Sequence, residues 1–174
     1  MGIERSQRRV AETRLRAVAA DLLDASTLCA IATTSRSGTP HVNTAYFAWA
    51  PDWTLVWLSE PHARHSRNVH DTGSAAVAVF DSTQSWGETD RGIQLFGSAR
   101  RAAGVGEARA RETYFRRFPN YREEDYTAYR FYALRPRRLK LFDEERLGAG
   151  TFVTAKIARG RLAWDRTELY SARS

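Results

Sequence analysis

The stretch Leu28–Trp49, LCAIATTSRSGTPHVNTAYFAW, decides how this chain folds. Leu28 to Thr34 alternates small and larger residues in the manner of a half-buried strand. Ser35-Arg36-Ser37-Gly38-Thr39-Pro40 then gathers residues that reverse a chain. His41 to Trp49 resumes the extended pattern, so the two runs predict a hairpin. Pro51-Asp52 predicts a tight turn, and Thr54 to Leu58 a third strand, which makes the region a β-meander.

Outward from the meander, the third strand runs into a basic segment: Thr54–Val69 reads TLVWLSEPHARHSRNV. The β-prone part ends at Ser59, and after Pro61 the chain offers Arg64, His65, Arg67 and Asn68. These cationic and hydrogen-bonding groups suit a phosphate, delivered at a sheet end where a ligand can lie. The same spacing also suits arginines that only solvate a surface turn. No catalytic set stands out elsewhere, so the chemistry is expected to belong to something bound here.

The flanking segments complete the architecture. Arg5 to Leu23 predicts an amphipathic helix, with Leu15, Val18, Ala19, Leu22 and Leu23 recurring at three- and four-residue spacing. Ser74 to Phe80 predicts a strand, followed by a polar loop through Ser82, Gln84, Ser85, Gly87, Glu88 and Asp90, and then a strand from Gly92 to Arg100. Gly104 to Phe118 predicts a helix. Tyr129 to Leu134 and Arg138 to Phe142 predict a strand pair broken by Pro136, and the tail from Gly148 to Ser174 is expected to be irregular. Such an order implies antiparallel neighbours and one domain over 1–174, mainly β with flanking α-helices, its six or seven strands in a closed or nearly closed barrel.

Composition narrows the function classes. Of 174 residues, 43% are hydrophobic, which suits one ordinary domain with a real core. No apolar run approaches the roughly 20 residues that span a bilayer, and the start MGIERSQRRV is polar. Neither a membrane partner nor a secretion signal is therefore expected, and a cytoplasmic location is the default. Met1 to Ser6 fits the loose myristoylation pattern, but nothing else points to a membrane. Cys29 is the only cysteine, which excludes an internal disulfide framework and a cysteine-built zinc site. His41, His62, His65 and His70 form no metal triad with a carboxylate at convincing spacing, so no metal is expected. The formal charge is +7, from 27 Lys+Arg against 20 Asp+Glu. That excess favours anionic ligands. With the arginines scattered and no recognised binding motif, a phosphorylated small molecule is easier to defend than nucleic acid.

In order and spacing these pieces resemble the pyridoxamine 5'-phosphate oxidase-like flavin-binding split barrels, over roughly Ala20 to Gly148. The motifs are Leu22-Leu23 with Ala30-Ile31-Ala32-Thr33-Thr34 and Gly38-Thr39-Pro40, the basic turn Ser59 to Asn68, Gly92 to Ala99 (GIQLFGSA), and Arg130 to Pro136 with Leu139 to Asp143. The family often has lysine where His65 stands. That histidine, with Tyr114-Phe115-Arg116-Arg117-Phe118-Pro119, looks most like a small bacterial branch of the family.

The resemblance implies a six- to seven-stranded antiparallel split β-barrel, a homodimer, and two flavin mononucleotide (FMN) sites at the subunit interface. It implies that Arg64 and His65 hold the phosphate, with Ser59 and Asn68 adding polar contacts. Asn43, Thr44, Ala45 and Tyr46 would line the isoalloxazine, Gln94 would come from the partner subunit, and Trp86 would cover the cofactor. Other roles compete. Gln94 on a strand also suits solvent, and His65 also suits capping its helix or pairing with Asp71. Trp57 reads as a packing residue. The expected activity is that of an FMN-dependent oxidoreductase, a reductase or oxidase, exchanging hydride at flavin N5 with a small molecule and drawing on a donor such as reduced nicotinamide. No side chain is expected to act as nucleophile. The pyridoxamine phosphate activity itself is not expected, because RLAWDRTEL lacks a clear match to that enzyme's C-terminal substrate motif. A deazaflavin or heme in the same barrel, or a non-enzymatic flavin-binding protein, is the alternative.

Overall fold

A computed structural model describes residues 2–122 and 127–171. The described elements run β1 (Gly2–Ser6), α1 (Glu12–Asp24), β2 (Leu28–Thr34), β3 (Pro40–Trp49), β4 (Leu55–Ser59), α2 (Arg64–Thr72) and β5 (Ser74–Phe80). After these come β6 (Arg91–Arg101), α3 (Val105–Arg117), β7 (Arg130–Asp143), α4 (Glu144–Leu147), β8 (Thr151–Ala158) and β9 (Arg161–Ser171). The strand order is β1-β9-β8-β7-β4-β3-β2-β5-β6, and β7 also pairs with β6, so the series from β7 to β6 closes into a six-stranded barrel. This is the mainly β, antiparallel split barrel expected. No helix among the described residues is long and apolar enough to cross a membrane.

The chain forms two compact units: Met1–Ser26, Ala78–Leu95 and Arg137–Ser174 in the first, Thr27–Val77 and Phe96–Pro136 in the second. In the second unit the meander is as the sequence implies. β2 pairs antiparallel with β3 from Leu28↔Tyr46 to Thr34↔Pro40. Gly38, at φ 81°, takes the left-handed position that turns the hairpin. β3 meets β4 through Phe47↔Trp57, Ala48↔Val56 and Trp49↔Leu55, and β4 passes to β7 through Leu55↔Leu134 to Ser59↔Arg130. Ala48, Val56, Ala102, Ala110, Tyr114 and Phe131 pack as one cluster of this unit's core.

In the first unit α1 buries Leu15, Val18, Ala19, Leu22 and Leu23, the stripe read from the sequence. The helix starts at Glu12 rather than at Arg5, a correction of seven residues. Gly2 to Ser6 form β1 instead, paired with β9 from Gly2↔Ser171 to Ser6↔Thr167. The apolar period begins only at Leu15, and the segment before it finds a strand edge more than 160 positions away that no local pattern announces.

Two further expectations are corrected. The described part of the tail, to Ser171, is not irregular: β8 and β9 are a hairpin closed by Arg159 and Gly160, at φ 51° and 74°, around the pair Ala158↔Arg161. Positive φ at both loop residues suits the twist of a two-residue hairpin, but Arg-Gly announces that turn weakly. The charged residues of β9 are matched across the sheet and along it: Lys156 with Asp165 at 3.0 Å, Arg166 with Glu168 at 3.2 Å, and Lys140 with Glu168 at 3.4 Å. Pro136 does not break β7. It lies between the ladder to β4, which ends at Leu134, and the ladder to β8, which begins at Arg138. At that handover its missing N–H costs neither of these ladders a hydrogen bond.

Candidate functional site

The junction of β4 and α2 opens onto a cavity of about 710 Å³ in the second unit. Ser59, Glu60, Ala63 and His65 form the junction wall, and β3 supplies Asn43, Thr44, Ala45 and Tyr46. The end of α3 and the chain beyond it bring Tyr114, Arg117, Phe118 and Tyr121. These aromatics pack on one another: Tyr46 lies edge-on to Phe118 with centroids 5.9 Å apart, and Tyr114 meets Phe118 at 4.8 Å. Helical spacing explains the α3 contribution, since Tyr114 and Arg117 are three positions apart and share a face.

Two features of the lining ask for a partner. Asn43 Oδ1 is buried and accepts no hydrogen bond, while its Nδ2 donates to Thr44 O at 3.4 Å. A buried acceptor left so costs about 1–3 kcal/mol, which a ligand N–H would recover. The second is the start of α2, where Ala63 precedes the first turn and no side chain caps it. Its leading N–H groups have no intrahelical acceptor and face the end that favours negative charge.

Beside that helix start sits a compact hydrogen-bonded group. Ser59 Oγ lies 2.6 Å from His65 Nε2 and 2.8 Å from Ser66 Oγ. The His65 and His41 rings are parallel, 6.2 Å apart. Burial, and secondarily the charge of His41, pushes the His65 pKa below its ordinary value. His65 is therefore a neutral hydrogen-bonding group near pH 7, not the cation its place in a basic turn suggests.

The structure separates the remaining expected residues. Arg64 and Arg67 are exposed and outside the cavity lining. Asn68 is buried and donates from Nδ2 to Thr33 Oγ1 at 3.0 Å, tying α2 to β2. Gln94 and Trp86 are exposed residues of the first unit. Trp57 is fully buried and stacks on Tyr132 at 5.9 Å, in the packing role read for it. The sequence reading missed Arg117, whose guanidinium lies 4.6 Å over the Phe47 ring. Its place one residue before Phe118, on the Tyr114 face, is the signal that could have found it.

Within this lining the Ser59 hydroxyl stands beside an imidazole base, 2.6 Å from His65 Nε2. Cys29 is buried and its thiol pKa is pushed up to about 12, chiefly by that burial, so no thiolate forms near neutrality. Among the described residues no three His, Cys, Asp or Glu side chains gather for a metal ion. An apolar-walled cavity of this volume, with one orphaned acceptor and an open helix start, is equipped to hold a flat ligand carrying an N–H edge and an anionic end.

Known proteins share the family and the fold of this chain. The model of the family described as pyridoxamine 5'-phosphate oxidase matches residues 15–143. A UPF0306 protein from Klebsiella pneumoniae is 34% identical over 76 residues, which make up 43% of this chain and 51% of that protein. The chain thus spans about half the length of this relative. A protein of unknown function from Agrobacterium tumefaciens shares the fold at a TM-score of 0.65 and 24% identity, over 79% of this chain and 60% of that one. A heme binding protein from Mycobacterium smegmatis does so at 0.65 and 22%, over 87% of this chain and 60% of its own.

Proposed function

Because the chain belongs to the pyridoxamine 5'-phosphate oxidase family, we propose that the cavity between β3 and α3 holds FMN and that the protein is a flavin-dependent oxidoreductase of a small molecule. The observation that carries this reading is Asn43 Oδ1, a buried acceptor without a partner in a wall that includes Tyr46, Tyr114, Phe118 and Tyr121. It complements the imide N–H of a flavin ring, and the uncapped start of α2 complements a phosphate.

Bound flavin would supply hydride exchange, which the side chains here do not. The chain's own part is to bind and to orient. Tyr46 and Phe118 wall the ring site, excluding water from one side. Arg64 opens α2 and would reach the phosphate from the rim, while neutral His65, held by Ser59, would donate or accept a hydrogen bond there. Arg117 adds the positive charge of the lining. In this reading the protein is a homodimer, and the partner subunit's Gln94 completes the site.

The test is the visible absorption spectrum of the purified protein with and without added FMN. A two-banded flavin spectrum, bleached by reductant, is expected. Asn43→Ala should weaken FMN about tenfold, the equivalent of about 1.4 kcal/mol. Arg64→Ala with His65→Ala should purify folded and lose the flavin. Full occupancy in that double variant would refute this placement of the phosphate. Heme is the second reading. The Mycobacterium smegmatis protein of the same fold binds heme, and His65, beside His41, lines the cavity. His65 Nε2 is held by Ser59 at 2.6 Å, so an axial bond from that nitrogen would have to displace the hydroxyl. An intense Soret band would decide for heme. A colourless protein that ignores FMN would sink the flavin reading and make a deazaflavin the next ligand to titrate.

A further inference from the structure

Arginines far apart in the chain converge on a second cleft of the same unit, about 500 Å³ in volume. Arg100 and Arg101 end β6, Arg109 lies on α3, and Arg135 lies on β7. No carboxylate pairs with any of the four among the described residues. Some arginines elsewhere are matched, as Arg116 is with Glu112 at 2.7 Å and Arg161 with Glu12 at 2.9 Å. Among the described residues lining the cleft, Asp52 is the sole carboxylate, and its Oδ1 already accepts from the Thr54 N–H at 3.1 Å. Four like charges on one concave surface repel, and an anion between them relieves that repulsion.

The floor beneath them is small and apolar, formed by buried Val56, Ala102 and Ala110. The start of α3 also borders the cleft: Val105 and Gly106 lie in its wall, no side chain caps the helix, and a Cβ on Gly106 would meet nothing within 4 Å. The Gly106 and Glu107 N–H groups there already donate to Ala103 O and Gly104 O, each at 3.0 Å, so the arginines alone define the site.

We infer that this cleft binds the pyrophosphate group of a small molecule, and that a nucleoside diphosphate is the class it fits. Arginine forks match phosphate oxygens in pairs, an apolar floor suits a nucleoside, and the volume lies in the range of about 300–1,000 Å³ for small-ligand sites. The inference is independent of the flavin reading, because none of the four arginines lines the larger cavity.

The experiment is calorimetric titration of the full chain with ADP and with inorganic pyrophosphate at low salt. Saturable one-to-one binding of ADP is expected, weakened at least tenfold by Arg101→Gln with Arg109→Gln and unchanged by Arg116→Gln, which lies outside the cleft. Pyrophosphate binding as tightly as ADP would support the phosphate contacts and remove the nucleoside from the assignment. Absence of saturable binding by both probes, or equal binding in the double variant, would overturn the inference. So would tight, length-dependent retention of single-stranded oligonucleotide without ADP binding, which would give the cleft to nucleic acid. Bound flavin measured on the same samples keeps the two cavities apart, since the arginine variants should leave it unchanged.

Discussion

Asn43 and His65 show how a single side chain is tuned by where it is buried. The Asn43 carboxamide has one atom engaged and one orphaned, and the orphan is an acceptor. Burial, and secondarily His41, holds the His65 pKa below its ordinary value, and its Nε2 makes a short bond to Ser59. The pH consequence follows from the direction of its shift. Unfolded, the imidazole titrates near 6.5; folded, it resists protonation until lower pH. Between those two values the unfolded chain binds the extra proton, so stability is full above about pH 6.5 and falls as pH drops through the window. Urea midpoints measured from pH 5 to 8 should fall below that point in the natural chain and stay flatter in His65→Asn. Equal slopes would show that His65 is not protected from protonation in the fold.

At the scale of elements, β7 carries the most structural consequence per residue. Its first half pairs with β4 and its second with β8, and the change of partner is set at Arg135-Pro136. Gly97 of β6 lies against that point so closely that an added Cβ would overlap the Arg135 carbonyl and crowd Pro136. Gly97→Ala should therefore destabilise by about 1–3 kcal/mol or more, the cost of forced overpacking, with Gly106→Ala as the control, since space is open there. Denaturation of both variants checks this, and a neutral Gly97→Ala would mean the strands can part without cost. The element α2 behaves differently. Its polar residues diverge, Asn68 inward to Thr33, His65 into the cavity lining and Arg64 outward to solvent, so one short basic motif serves both packing and the cavity.

At the scale of the molecule, the site is built within one compact unit, while Gln94 and Trp86 belong to the other. We propose that assembly brings them into play, as two subunits sharing each flavin site. Sedimentation of the full chain should give a dimer at micromolar concentration, and Gln94→Ala should lower flavin affinity without changing the dimer. A monomer that binds flavin at full strength would refute the shared site. The two cavities differ in charge. The aromatic one takes Arg117, whereas the arginine-rich one takes four guanidinium groups.

Much was settled by local pattern alone. Alternation across Leu28 to Thr34, the Gly38 turn and the three- and four-residue spacing from Leu15 to Leu23 each depend on neighbours within a few positions, so strands β2 to β5 and the buried face of α1 were legible. Asn43 to Tyr46, Ser59 and His65 were placed at the site by the family resemblance of their motifs rather than by local pattern, and they line the cavity. Tertiary structure alone decided the rest, because it depends on contacts between distant segments. Gly2 to Ser6 became a strand only by meeting β9, and Pro136 was tolerated only where β7 changes partners. Burial beside Ser59 lowered the His65 pKa, and folding gathered Arg100, Arg101, Arg109 and Arg135 from three elements onto one surface. Periodicity reports which face of an element is buried; which groups meet across elements, and what their meeting does to charge, is fixed only when the chain has closed.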